Sequence, residues 1–182
     1  MTESINPLGT KHNHNRGLAE GSWKGMKKYL EQDMLCNALK GRVVYDFTWN
    51  PRYGAYSCVF AVSLDGVPIK KFGLAYAWKR LSEQGFQLQY VSDVRRIFMA
   101  DRKEYTDEEF SIALRDYRNQ RIGLSIASGN PIIRMFAIVD RRIGKRTLER
   151  LKDEIPNQPE WLKPLYVERM KADGVLKEGE QK

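Results

Sequence analysis

The chain has little of what most catalytic sites are built from. Only two cysteines occur in 182 residues, Cys36 and Cys58, too few for a disulfide framework, so they are expected to be buried thiols. Only two histidines occur, His12 and His14, both in "KHNHNRG" near the start. A metal site needs further ligands at suitable spacing, and no Cys/His cluster supplies them. Histidine acid–base or triad chemistry lacks its residue over the rest of the chain. No glycine loop of phosphate-binding type is present: "GLAEGSWKG" has no strand before it, and "RIGKRT" follows a helical pattern. No apolar run approaches the roughly 18–20 residues of a membrane helix, and the first 21 residues lack the apolar stretch of a signal peptide. The expectation is a cytoplasmic protein with no cofactor, no metal, no membrane partner and no identifiable catalytic residue.

What is present is an ordinary globular composition, 42% apolar and 30% charged, with a net charge of +8. The surplus is uneven. Residues 1–104 carry 16 Lys and Arg against 10 Asp and Glu, whereas residues 105–182 carry 15 against 13. A basic first half favours polyanionic partners.

The patterning predicts α+β architecture. Ser22 caps a helix expected to reach Leu39, with Met26, Tyr29, Leu30, Asp33 and Met34 near helical spacing. Period two then takes over. Val43, Tyr45, Phe47 and Trp49 alternate with Arg42, Val44, Asp46 and Thr48, and Tyr56, Cys58, Phe60, Val62 and Leu64 alternate again. Asp65-Gly66 is a hairpin signal into a third strand through Phe72, and Pro68 places that strand at an edge. The result is a three-stranded antiparallel meander between an N-terminal helix and a helical C-terminal half. Helices follow from Leu74 to Gly85 and, after the Thr106/Glu109 capping box, from Asp107 to Ser128. Asn130 and Pro131 open another, and a last helix starts near Pro159. The segment 85–104 reads as a short strand and a helix. One domain spans 22–173, between flexible tails at 1–21 and 174–182.

The stretch "NPIIRMFAIVDRRIGKRTLERL" joins the most apolar and most basic parts of the second half. On a helical wheel Phe136, Val139 and Ile143 fall within about 40 degrees of Ile132. Leu148, Leu151 and Ile155 point about 100–160 degrees away, so a kink or break is expected near Gly144. Arg134, Arg141, Lys145 and Lys152 lie opposite the apolar stripe, where they are either phosphate contacts or a solvated back face. The structural reading is preferred: Asp140–Arg146 forms a joint in which Arg141 or Arg142 is buried against a carboxylate or backbone oxygen.

"ALKGRV" and "NPIIRMFAIVDRRIGKRTL" together resemble an uncharacterised family of short soluble bacterial proteins that share an LKGRV block and a late NPIIR…DRRxGKR helix. The resemblance spans residues 22–173 and singles out Lys40, Gly41 and Arg42, then Asp140, Arg141, Arg142, Gly144, Lys145 and Arg146. It implies no activity and no catalytic residue. The turn from Trp49 to Tyr56 and the segment 85–104 depart from the family's spacing.

Function is therefore sought in binding. Aromatic residues cluster in the first two strands, with Arg42, Arg52, Lys70, Lys71, Lys79 and Arg80 around them. Cations interleaved with aromatics on a sheet suit nucleic acid, the cations as phosphate contacts and Tyr53 as a stacking residue. The alternative is a protein-binding module, such as an immunity or accessory protein that blocks a partner with its sheet face or hairpin tips. Convergence of the scattered cations on one surface separates the two.

Overall fold

The computed structural model describes residues 22–49, 58–87, 89 and 104–177. The expectations for His12, His14, Arg52, Tyr53 and Tyr56, for the tail 1–21 and for most of the segment 85–104 lie outside them. Of the expected tail 174–182 only residues 178–182 do, since Leu176 is described and packs into the core at 7% exposure, its amide bonded to the Met170 carbonyl.

The chain is α+β, in the expected order. Ser22 accepts a hydrogen bond from the Gly25 amide and opens α1 (Trp23–Lys28). The helix then widens into a π turn over Tyr29–Met34, and Leu35 leaves helical geometry altogether. The expectation of one helix to Leu39 is thus corrected, and the reason is tertiary. The Cys36 amide donates to the Val139 carbonyl at 2.9 Å and the Arg141 amide to the Met34 carbonyl at 2.9 Å. These bonds make an isolated bridge between Leu35 and Asp140, and a bridging residue must be extended.

The meander is β1 (Val43–Trp49), β2 (Cys58–Leu64) and β3 (Val67–Phe72), antiparallel in the order β1-β2-β3. Asp65 and Gly66 both take positive φ, 51° and 78°, the backbone that a two-residue hairpin turn needs. Along β1 the inward stripe fades from Val43, fully buried, to Trp49, 38% exposed. Both outer strands guard their edges. On β1 the Glu31 carboxylate accepts from the Tyr45 amide at 2.8 Å, and β3 carries Pro68 and an irregular register.

One sheet face packs on α3 (Asp107–Asn119) and α5 (Pro131–Ile138). Phe60 stacks on Phe110 with centroids 4.3 Å apart, Phe110 meets Phe136 edge-on, and Phe136 stacks on both Tyr45 and Tyr117. This aromatic column joins sheet to helices. α2 (Leu74–Glu83) enters through Gly73, where a Cβ would lie 2.6 Å from the Cys58 carbonyl oxygen, too close for any side chain.

The Thr106/Glu109 capping box forms as expected. The helix it opens stops at Asn119 rather than Ser128. Gln120 is extended, and a short α4 (Ile122–Ile126) follows in a new direction. Phe110, Leu114 and Tyr117 of α3 are buried, whereas Leu124 of α4 is 63% exposed. α6 (Lys145–Leu151) and α7 (Lys163–Ala172) complete the described chain.

Candidate functional site

Two Lys residues on β3 set the geometry of the first candidate surface. Val62 pairs with Lys70 but Ser63 pairs with Pro68, so Ile69 is an extra residue and bulges. Val62 faces the core, and Lys70 opposite it is drawn to the same side. Its ammonium meets the Glu104 carboxylate at 2.7 Å and lies 5.8 Å from the Tyr105 ring centre. At 11% side-chain exposure Lys70 is an inward-pointing edge charge rather than an open phosphate contact.

Lys71 points the other way, over the Tyr76 ring at 5.4 Å. Tyr76 and Arg80 are one turn apart on α2, whose buried anchors Leu74 and Leu81 leave that side outward. Pro68, Ile69, Lys70, Lys71, Tyr76, Arg80, Glu104 and Trp161 line a cleft of about 240 Å³ that wraps the edge of β3. Three of the cations picked out in the sequence thus share one cleft with two aromatic rings. Lys79 lies on the outer face of α2, where its ammonium is 3.8 Å from Glu83.

Arg42 does not join them. Its guanidinium grips Asp65 through Nε and Nη2 and reaches Glu168 on α7 at 2.8 Å. It ties the hairpin to the last helix. Arg42 holds both carboxyls below their ordinary values of 3.8 and 4.5, mainly by these hydrogen bonds. A carboxyl with a depressed folded pKa stabilises the fold above its unfolded value and loses that contribution as pH falls through the folded one. Stability of the protein should therefore decline as pH drops below about 4.5, and urea titrations should show a shallower decline in Arg42→Ala. An identical acid limb in that variant would remove the clamp from the account.

The second surface is the Asp140–Arg146 joint. α5 ends at Ile138 and α6 begins at Lys145. The break expected near Gly144 is present, but glycine does not cause it. Gly144 has φ −92° and ψ 166°, open to any residue, and space for a Cβ. The cause is Asp140. Its carboxylate is fully buried and accepts from the Arg142 amide at 2.8 Å, from Arg142 Nε at 2.9 Å and Nη2 at 2.6 Å, and from the Tyr117 hydroxyl. Burial and the Asp140 charge together push the Tyr117 hydroxyl well above the ordinary tyrosine range, so it stays a donor.

The pairing of Arg142 with a carboxylate was expected, but its burial was not found: the Arg142 side chain is 43% exposed. Arg141, Lys145 and Arg146 are exposed as well. The residue that satisfies the joint is Arg169 of α7, 3% exposed, whose Nη2 donates to the Ile143 carbonyl at 2.6 Å and whose Nε lies 3.1 Å from Asp173. Nothing in the sequence singled it out except its place beside the apolar Leu165–Tyr166–Met170 stripe. Arg134, read as part of a basic row, instead turns back to the Ser128 carbonyl at 2.6 Å and to Gln158.

Cys36 and Cys58 are buried free thiols. Burial, reinforced by Asp107, pushes the Cys58 thiol up to about 12, far from the thiolate a nucleophile requires. Among the described residues no group of three or more His, Cys, Asp or Glu side chains is placed to hold a metal ion, and no helix is long and apolar enough to cross a membrane.

These features define an α+β protein with a helix-backed three-stranded antiparallel sheet, a basic cleft at one sheet edge and a joint built on the buried Asp140 carboxylate. The chain belongs to the SF0329 protein family, whose model matches residues 22–170, covering both the LKGRV and the DRRIGKR blocks. Comparison with curated proteins and with solved structures gave no match.

Proposed function

We propose that the protein is a non-enzymatic binding protein that contacts nucleic acid along the basic edge of β3 and α2. The observation that carries the reading is the meeting of Lys71 and Arg80 with Tyr76 and Trp161 in one cleft. Lys71 and Arg80 are exposed and make no ion pair with any described residue, so each has charge to offer a phosphate. Lys79 extends the same face. Lys70 supports the site from inside by fixing Glu104, and Arg42 belongs to the clamp. A cleft of about 240 Å³ suits one nucleotide unit rather than a duplex groove. Single strands fit that width, with the half-buried Trp161 as the ring against which a base packs.

Fluorescence anisotropy with a labelled single-stranded oligonucleotide tests the proposal across a salt series. Affinity should fall with salt at about 0.7 log units per phosphate neutralised. Lys71→Glu with Arg80→Glu should lower affinity by an order of magnitude or more at low salt and flatten that slope by roughly 1.4. The melting temperature should stay near that of the parent, because neither side chain is buried. No detectable binding at low ionic strength, or equal binding by the variant, overturns the reading. Val67, 64% exposed at the hairpin tip beside Pro68, supports a protein-binding edge instead. Capture of a protein that is lost on Val67→Glu, with no oligonucleotide binding, would favour that second reading.

A further inference from the structure

The Asp140 arrangement holds more than a turn requires. A turn of this kind needs one side-chain oxygen to accept the amide two residues on, as Asp140 Oδ1 accepts from Arg142, and asparagine supplies that as well. The charge and the second oxygen are spent elsewhere, on Arg142 Nε and Nη2 and on the Tyr117 hydroxyl. Burying a carboxylate completely is costly, and replacing such a pair by apolar residues is often stabilising. What the fold gains is an arginine locked in place. Its inner edge is fixed by Asp140, and its plane lies near the Tyr117 ring, 5.8 Å from guanidinium carbon to ring centre. Nη1 makes no hydrogen bond with any described residue, and 43% of the side chain is open to solvent. Arg141 stands beside it, its side chain exposed and without a hydrogen bond or ion pair to a described residue, its backbone pinned by the bond from its amide to the Met34 carbonyl.

We infer that Arg141 and Arg142 form a binding site for a phosphoryl oxyanion, with Asp140 and Tyr117 as the positioning residues that hold the Arg142 fork. With Nε and Nη2 held by Asp140, the guanidinium presents its Nη1 N–H donors outward to an oxyanion, and less side-chain entropy is lost because the group is already ordered. The local charge selects among anions. Residues 140–146 hold four basic side chains against one acidic, and that one is already neutralised by Arg142, so a multiply charged phosphate is matched better than a single carboxylate. This site does not depend on the β3 cleft. Tyr117 lies two turns beyond Phe110 on α3, and Phe110 is the residue that meets β3 at Phe72.

The experiment is a titration of the full chain with inorganic phosphate, followed by proton–nitrogen NMR of backbone amides and of arginine Nε–H groups, beside sodium chloride at matched ionic strength. Phosphate should produce saturable shifts at Arg141 and Arg142 that chloride does not. Arg142→Lys, which keeps the charge but loses the fork, should weaken phosphate at least about tenfold, the scale on which a supporting shell acts. Asp140→Asn, which keeps the turn but frees the fork, should do the same, and if it fails to fold then Arg142→Lys and Arg141→Ala decide. A phosphate affinity unchanged in Arg142→Lys and Arg141→Ala, or shifts linear and equal to those of chloride, overturns the site. A parallel titration with a short single-stranded oligonucleotide distinguishes free phosphate from phosphodiester. Running both in Lys71→Glu/Arg80→Glu separates this proposal from the β3 cleft: phosphate shifts at Arg142 should survive there whether or not that cleft binds nucleic acid.

Discussion

Arg142→Ala should lower the free energy of unfolding by roughly 3 kcal/mol, although the side chain it removes is nearly half exposed. The cost arises at the partner. Asp140 is at 0% exposure, and without the guanidinium it keeps only the Arg142 amide and the Tyr117 hydroxyl as donors. A buried carboxylate stripped of its counter-charge is what makes one-sided removal of a buried pair expensive. The thermodynamic cycle sharpens the expectation. Asp140→Asn in the Arg142→Ala background removes the stranded charge while keeping an acceptor for the turn, so it should recover part of the loss. Urea unfolding of the four proteins measures the coupling. If Arg142→Ala unfolds like the parent, Asp140 is solvated and the joint does not rest on this pair.

Arg169→Ala should be more damaging, on the order of 3–5 kcal/mol. Arg169 is 3% exposed and bridges the last helix to the joint through the Ile143 carbonyl and Asp173. Its removal leaves that carbonyl without a donor in a space water reaches poorly, and opens a cavity beside Leu165, Tyr166 and Met170, all fully buried. Arg169→Lys should recover little, because a single ammonium cannot reach both acceptors in the guanidinium's fixed geometry. Gly144→Ala is the contrasting control. The glycine at the apparent hinge has ordinary φ and free space around its Cα, so the alanine variant should melt within about half a kcal/mol of the parent. A large loss there with none at Arg169 would return the hinge to Gly144.

The amino-acid sequence by itself determined the elements whose causes are local. The Thr106/Glu109 box, Asn130 with Pro131, and Asp65-Gly66 satisfy their own backbone groups within a few residues, and each stands where the sequence places it. Period two located the strands, and with them the core stripe of Val43, Tyr45, Phe60 and Val62. The rotation of the apolar stripe between α5 and α6 was visible on a helical wheel, although its cause was not.

Only the tertiary structure decided the rest, because the deciding partners lie far apart in the chain. The first helix ends at Met34 since Leu35 bridges Asp140, more than a hundred residues on. A one-residue bulge on β3 turns Lys70 inward to Glu104 while Lys71 faces the α2 cleft, although the two lysines are neighbours of identical chemistry. Arg42 is spent on Asp65 and Glu168, and Arg169 rather than Arg141 or Arg142 is the arginine buried at the joint. A charged residue's role depends on which opposite charge or unsatisfied backbone oxygen the fold brings to it. Spacing along the chain does not contain that information.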